Sequence, residues 1–537
     1  MYKVIDLFAG AGGLSLGFKQ TGECCLLAAA EIKKDARDTY KKNLVDNETE
    51  FEFIENVIGY DFESLNERLG EIDIVIGGPP CQGFSNANRQ RNHLINLNNA
   101  LVKEYFRAIR EIKPKAFIME NVSMLQSDTH RFYDSQLDHD MIEAMQQQGK
   151  NIPMRIDKII ICSRSFHNID VIEVVRNIAT VEQLLLPEKL LALINTLNKN
   201  KNNERRLPNF LLKNKTNIVN EINEFVLENE LVFGEMEQIK NWVNILRQGL
   251  LEDRKVSEIT ELQDLVEFEK MLLSVKEIYQ NQLIGTFEQR DNGIVFIVKS
   301  YSVLDYINAI LGNDYIQKGE TLNAQCFEVP QERKRYIVFG IRTDILGEQE
   351  FQALKNPDTY TAVTVKEAID DLTKYDVGYA KEFEPVAYRE GEELSEYAKE
   401  IRRNSTSVKN HISTNTTEAA LERFRAIEQG KNFHSLSNEL KTTYAKPERT
   451  QNTIYLRLNP DKVCGTVVNV RKSMWIHPTL NRAISVREAA RLQSFPDEFE
   501  FVGTKDSQYQ QVGNAVPPKL AKKIAEHILK YLKNSGA

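Results

Sequence analysis

Two short stretches hold the residues able to do covalent chemistry. Residues 77–85 read GGPPCQGFS and residues 119–122 read MENV. A thiol, Cys81, and a carboxyl, Glu120, therefore each follow a short apolar run with the texture of a buried strand. A free thiol titrates at about 8.5, so only about a few per cent is thiolate at neutral pH. It attacks well when its target is made electron-poor, and a carboxylic acid whose pKa is raised by burial can supply the proton that does this. Thiol and acid together suit addition to an electron-poor ring. Taken alone, Cys81 fits a small turn residue and Glu120 a salt-bridged strand end. What favours chemistry is their pairing beside a third motif.

That motif is DLFAGAGGLSLGF, with Gly10, Gly12 and Gly13 between a first strand and its helix. Glycines there let the backbone approach a ligand closely, and the helix N-terminus turns free N–H groups toward the ligand's negative end. Glu31, closing the second strand, stands where an acidic residue can hold ribose hydroxyls. Phe8 offers a ring face to an adenine. The dinucleotide spacing G-x-G-x-x-G fails because Ser15 fills the third glycine position. The stretch reads as a cradle for a nucleoside-type cofactor, and NAD-linked oxidoreduction would leave Cys81 unexplained.

These residues need a scaffold that brings them together. The runs KVIDLFAG, CCLLAAAE, FEFIENV, IDIVIG and AFIMENV alternate with helical stretches through about residue 125. That alternation predicts an α/β fold with a Rossmann-like, doubly wound parallel sheet, whose ligands bind outside the carboxyl ends of the strands. From 130 to 299 glycine is sparse and Leu, Ile, Asn, Glu and Lys dominate. Leu190, Leu193, Ile194 and Leu197, and again Ile239, Trp242, Val243 and Leu246, repeat at i, i+3, i+4, i+7, so this segment is expected to be a helical insertion. Strand texture returns at YIVFG, residues 336–340. The late blocks REAARLQSFPDEF and QVGNAVPP precede a final amphipathic helix.

Composition excludes several classes. At 537 residues the chain can hold more than one domain, and 42% hydrophobic with 27% charged residues is ordinary for a globular protein. No apolar run is long enough to span a bilayer, and the N-terminus lacks signal-peptide character, so a cytoplasmic protein with no membrane partner is expected. The six cysteines form no CxxC, so neither a zinc site nor a disulfide framework is indicated and no metal is expected. A net charge of −8 gives no bulk signal for nucleic-acid binding, yet leaves room for a local basic cleft.

Six blocks in fixed order, DLFAGAGGLSLGF, GGPPCQGFS, MENV, VPQERKRYIVFG, REAARLQSFPD and QVGNAVPP, carry a resemblance. The chain closely resembles the DNA (cytosine-5) methyltransferases of the restriction–modification type, which use S-adenosylmethionine. The likeness covers about residues 1–125 and 300–537. It implies that Cys81 attacks carbon 6 of cytosine and that Glu120 contacts ring N3. Arg333 and Arg335 would lie near the base, a guanidinium reaching O2. It implies a methyl donor held by Phe8, Ala9, Gly10, Gly12, Gly13, Glu31, Ile32 and Asn514 and bordered by Pro80 and Leu101. Asn121 looks structural, orienting the loop that carries Cys81. A stacked base exposes neither face to a thiol, so the cytosine of a duplex must be flipped out. The polar stretch after Cys81 reads as a loop able to close over it, with Ser85, Arg89 and Arg91 toward DNA.

The resemblance divides the chain into a catalytic domain (1–129, 300–345 and 511–537), the insertion (130–299), and a target-recognition region and hinge (346–510). Arg457, Lys472 and Arg482 are candidates for base or phosphate contacts in the last. Two features depart from the family. An Asp that often follows strand three, near the cofactor's adenine, is replaced by Asn56, expected here as the cofactor contact, with Asp61 later, and the 130–299 insertion stands where most members have a short connection. The implied partners are double-stranded DNA and a cognate restriction endonuclease or defence system. An RNA (tRNA) cytosine-5 methyltransferase, or a non-catalytic DNA-binding regulator on the same fold, stays open at this level.

Overall fold

The principal strands are, in chain order, β1 (Tyr2–Leu7), β2 (Cys24–Ala30), β3 (Glu52–Ile54), β4 (Ile74–Gly77), β5 (Ala116–Asn121), β6 (Arg131–Tyr133), β7 (Met154–Cys162), β8 (Gly285–Arg290), β9 (Gly293–Ser302), β10 (Tyr315–Asn323) and β11 (Lys334–Arg342). The structure, a computed structural model, describes residues 1–46, 51–80, 98–121, 131–147, 149, 152–166, 169–204, 206–229, 235–290, 293–379, 384–444 and 446–534. Cys81, Ser85, Arg89 and Arg91 lie outside the described residues. Its contacts divide it into two units: residues 1–81, 100–127 and 310–537 form the first, and 82–99 and 128–309 the second.

Seven strands of the first unit form one sheet in the order β10-β11-β5-β4-β1-β2-β3. From β5 to β3 neighbouring strands run parallel. The strands of the first 125 residues are parallel as expected, while β11 is antiparallel to β5, and β10 to β11, so the complete sheet is mixed. Residues 324–333 link β10 to β11 without a crossover helix, and a short link can join only antiparallel neighbours. Val4, Ile5, Ile74, Val75, Ile76, Phe117 and Ile118 are fully buried. That is why β1, β4 and β5 read as unbroken apolar runs. Strand order reverses between β1 and β4, so the chain leaving β1, β4 and β5 emerges along one crevice.

The 346–510 stretch does not stand apart as a body of its own. Tyr397, Ile401, Val486, Ala489 and Phe495 share one core with Phe18, Ile76 and Ile337 of the sheet and its first helix. Buried charges add to this joint: Arg491 bonds Asp371 and Asp497 at 2.6 Å each, and Arg402 bonds Asp371 at 2.7 Å. A smaller core around Phe424, Phe433, Tyr455 and Ile476 lies within the same stretch.

The second unit has its own core. Leu190, Ile194, Leu197, Ile239, Trp242, Val243 and Leu246 are buried there, as their helical spacing predicts. The segment is not purely helical, however: β9 pairs antiparallel with β6, β7 and β8. The period-2 alternation of Ile294, Phe296 and Val298, buried on one face, is the signal that the helical reading passed over. Strand β7 hides the pattern further, because Ile156 and Ile160 are exposed. Strands β6 and β9 are the unit's first and last, and they lie side by side, Arg131 opposite Ser302. No described helix is long and apolar enough to cross a membrane.

Glu269 is buried in this core, and among the described residues the Leu186 N–H, at 3.2 and 3.3 Å, is what faces its two oxygens. Burial pushes its carboxyl up to about 8. In the unfolded chain this group loses its proton first, so stability falls as pH rises from about 5 to about 8. Glu269→Gln keeps the acceptor without the charge. It is expected to flatten that slope and to stabilise the unit near pH 8 by on the order of a few kcal/mol. Amide protection across Thr260–Gln280, corrected for intrinsic exchange, measures this.

Candidate active site

The turn after β1 is shaped by left-handed backbone at Phe8 (φ 66°), Gly10 (φ 57°) and Gly12 (φ 90°). A Cβ on Gly12 would lie 2.2 Å from Leu44 Cδ1 and 2.8 Å from the Tyr40 ring, so only glycine fits. Gly10 faces open space instead, with nothing within 4 Å of where a Cβ would stand. Above it Glu31 is tied at both oxygens: Gly10 N–H donates to Oε2 at 3.0 Å and Lys33 N–H to Oε1 at 2.8 Å. Ile32 follows it in the chain and is 72% exposed, its apolar surface left largely uncovered by the described residues. A backbone cradle, a fixed carboxylate and an uncovered apolar side chain fit a nucleoside.

Three residues that sequence reasoning missed brace this turn from below. Tyr40 O–H donates to Ser15 Oγ at 2.8 Å, and Ser15 O–H donates to Asp6 Oδ2 at 2.5 Å. Asp6 is buried, and burial pushes its carboxyl up to about 7. An acidic residue inside the apolar run KVIDL was the available signal. Arg37 was missed as well; its guanidinium donates to the carbonyls of Glu31 and Ile32 at 2.9 Å each.

The second cluster lies at the ends of β4, β5 and β11. Parallel pairing sets Gly77 opposite Met119 and brings Gly78 beside Glu120, where a Cβ on Gly78 would stand 3.0 Å from Glu120 Oε2. Arg335 Nε donates to Glu120 Oε1 at 2.7 Å. The register Ile337 opposite Glu120 places Arg335 there. Asn121 Nδ2 donates to the Pro79 carbonyl at 3.3 Å, which ties the end of β5 to the segment leading to Cys81. Tyr105 O–H lies 3.2 Å from the Val75 carbonyl and 2.8 Å from that of Ile118, bridging the two strands.

Arg333 lies near enough to Arg335 and Glu120 to feel both charges, but its hydrogen bonds go to other groups. It is buried, and its guanidinium donates to the carbonyls of Val467 at 3.0 Å and Gly513 at 3.2 Å. In this structure it clamps the QERKR and QVGN blocks together, and Arg335 is the arginine that reaches Glu120. Residues alternate sides along β11, so the odd-numbered pair shares a face, but Arg333 precedes the strand. Gln331 assists the clamp by accepting from Val467 N–H at 2.6 Å and donating to Gln493 Oε1 at 2.8 Å.

The remaining sites divide. Pro80 and Leu101 are half-buried, and Asn514 is exposed and accepts from Gln510 at 2.7 Å. Asn56 is exposed and accepts from Ile58 N–H at 3.0 Å, which closes its own turn. Lys472 is exposed. Arg457 is buried, with Phe424, Ile427, His477 and Leu480 carbonyls as its acceptors, so it is spent on the protein and not presented to DNA. Arg482 is likewise spent: its guanidinium grips Glu488 at 2.6 and 2.8 Å. Burial and charge pairing had no signature in the donor-rich sequence around either one.

The model of the family described as C-5 cytosine-specific DNA methylase matches residues 2–156 and 298–530, more than half of the chain. The chain belongs to that family. It is a DNA (cytosine-5-)-methyltransferase. It is similar to the Type II methyltransferase M.DdeI of Desulfomicrobium norvegicum, 26% identical over 99% of this chain and 89% of that one. It is 25% identical to the DNA (cytosine-5-)-methyltransferase M.ApeKI of Aeropyrum pernix over 99% of both. A solved E. coli prophage protein described as a DNA modification methyltransferase shares the fold, with a TM-score of 0.55 at 17% identity over 99% of this chain and all of that one. The methylase's second unit supplies most of the stretch that the family model leaves unmatched, 157–297.

The two arginines of the QERKR block should fail differently. Arg335→Ala is expected to lower single-turnover methyl transfer to duplex DNA by on the order of a hundredfold with an unchanged melting temperature. Arg333→Lys loses a forked donor in a buried site and is expected to lower the melting temperature first. Both are read by a labelled-methyl assay beside thermal unfolding.

Proposed function

We propose that this methylase transfers a methyl group to carbon 5 of a flipped-out cytosine in a specific duplex sequence through a covalent adduct at Cys81. The observation that carries the reading is the Glu120–Arg335 pair at 2.7 Å, set beside Gly78 three residues before Cys81 in the sequence. Phe8, Ala9, Gly10, Gly12, Gly13, Glu31 and Ile32 would hold S-adenosylmethionine, with Asn514, Pro80 and Leu101 at its border. When bound, S-adenosylmethionine supplies an electrophilic methyl group on a sulfonium sulfur.

The chain's own residues supply the rest. Cys81, its proton lost to solvent, forms a sulfur–carbon bond at C6, and the ring electron pair moves to C5. Glu120, as the acid, gives its proton to N3, accepts a hydrogen bond from the resulting N3–H, and takes the proton back as the thiolate leaves, while Arg335 donates to O2 and fixes Glu120. The C5 electron pair forms a bond to the methyl carbon, and the pair of the broken sulfur–methyl bond would stay on the donor's sulfur, leaving a neutral thioether. A solvent-connected base then removes the C5 proton, the C5–C6 double bond re-forms from that pair, and the thiolate leaves with the electrons of the C6–S bond. Expelling the base from the stack is required because neither ring face is reachable inside a duplex.

We read residues 346–510 as the part that recognises the target and the 130–299 unit as an accessory. We read the biological role as self-marking of DNA, in the cytoplasm, against a cognate restriction endonuclease or defence system. The names of the Type II relatives support it.

Duplex DNA carrying 5-fluorocytosine blocks the loss of the C5 substituent, so the enzyme is expected to be trapped on it in a denaturing gel. Cys81→Ala should give no trapped species; one that persists in this variant would refute the nucleophile. Glu120→Gln is expected to slow methyl transfer by on the order of a hundredfold or more.

A further inference from the structure

The net charge of −8 is not spread evenly over this methylase. Residues 418–482 carry 11 Lys and Arg against 6 Asp and Glu, a net of +5 in an acidic chain, although Arg482 and Arg471 pair with Glu488 and Asp506 just beyond the segment. The same segment contains the small core around Phe424, Phe433, Tyr455 and Ile476. Beside that core lies a groove of about 660 Å³, whose lining includes Arg425, Glu428, Gln429, Thr479 and Asn481. A duplex brings negative charge, so this is where an acidic enzyme can meet it favourably.

The groove has two walls, the loops 427–431 and 477–481, and one residue holds both. All five N–H groups of Arg457 find acceptors. Nε donates to the Ile427 carbonyl at 2.7 Å. Nη1 donates to the His477 and Leu480 carbonyls at 3.0 and 3.2 Å. Nη2 donates to the Phe424 carbonyl at 2.5 Å and to Asn481 Oδ1 at 2.7 Å. Its backbone also exchanges bonds with Gly430 and Lys431 at 2.9 Å each. His477, buried, fixes the second wall from within: its Nδ1 accepts from the N–H groups of Thr479 and Leu480 at 3.2 Å each. Gln429 then ties wall to wall, Nε2 donating to the Pro478 carbonyl at 3.2 Å.

These bonds decide what the groove presents. Asn481 spends its oxygen on Arg457, which leaves its NH2 as a donor. Gln429 spends one N–H on Pro478, which leaves its oxygen as an acceptor beside its second N–H. Glu428 adds a carboxylate that has no ion-pair partner among the described residues. A phosphate site would present donors alone, and a carboxylate in the lining repels phosphate. Mixed donors and acceptors on a rigid frame match the edges of base pairs, where a carboxylate accepts from the cytosine amine and an amide from either partner.

We propose that the groove between loops 427–431 and 477–481 reads base edges of the duplex target, with Gln429 and Asn481 as specificity-determining residues and Arg457 and His477 as positioning residues. This rests on the duplex-methylation reading above but not on its covalent chemistry. The full-length enzyme is used to select bound duplexes from a randomised pool, a readout independent of methyl transfer. The fluorocytosine trap, run in parallel, tests the chemistry separately. Gln429→Ala and Asn481→Ala, both at exposed positions, are each expected to relax preference at one base pair by about tenfold, the factor a lost base contact carries. S-adenosylmethionine affinity measured by calorimetry should not change. Arg457→Lys should relax preference at the positions of both variants, which a purely structural role would not do. Selection of the wild-type consensus with undiminished preference by both alanine variants would overturn the proposal, even if Arg457→Lys fails to fold.

Discussion

Glu120 can offer a defined edge to a substrate ring only while the strand beside it keeps its register. A one-residue slip of β11 would carry Arg335 to the opposite face of the sheet and leave the carboxylate unpaired. The register is held at both ends. Within the strand it is set by antiparallel pairing to β5. Ahead of the strand it is set by Gln331 and Arg333, whose side chains are buried and bonded to Val467, Gln493 and Gly513. The acid is therefore positioned by residues drawn from the far end of the sequence, and the QERKR, REAARLQSFPD and QVGN blocks act as one mechanical unit with MENV.

The same late segments are fastened by charge in the interior. Arg491 lies between Asp371 and Asp497, Asp371 also binds Arg402, and Arg487 is buried next to Asp497. Buried ion pairs recover their desolvation cost only when geometry and hydrogen bonding are good, so they are a weak source of net stability. What they contribute is discrimination: any other docking of 365–402 on the Val486–Leu492 helix would strand a charge in an apolar core. Glu488, gripped by Arg482, works in the same way, and the Arg482 pairing holds its carboxyl well below the usual range.

Much of the sheet was legible because buried parallel strands write themselves as apolar runs ended by glycine or a carboxylate, as in IDIVIG and AFIMEN. The crevice followed from the alternation of strands and helices. Three kinds of information were hidden. Strand direction at β10 and β11 depends on a connection whose path the sequence does not encode locally. The sheet of the second unit was masked where β7 exposes Ile156 and Ile160, so that its alternation failed. The fate of arginines was hidden most completely. Arg333, Arg335, Arg457 and Arg482 look alike as letters, yet two bind backbone carbonyls, one binds Glu120 and one binds Glu488. Which of these a guanidinium does is set by the acceptors that folding delivers to it.

The pairing of β6 with β9 has a consequence for how such a chain can arise. The first and last strands of the second unit are neighbours, Arg131 against Ser302, so its two ends lie one strand spacing apart. To the sheet that receives it, an insert with its own core and adjacent ends has the footprint of a hairpin loop. Closing it costs the host chain little more entropy than a short turn would, because the ends are already held together. The segment is in that sense a cassette. It forms one piece of chain between β5 and β10, with its own core and its own closed ends.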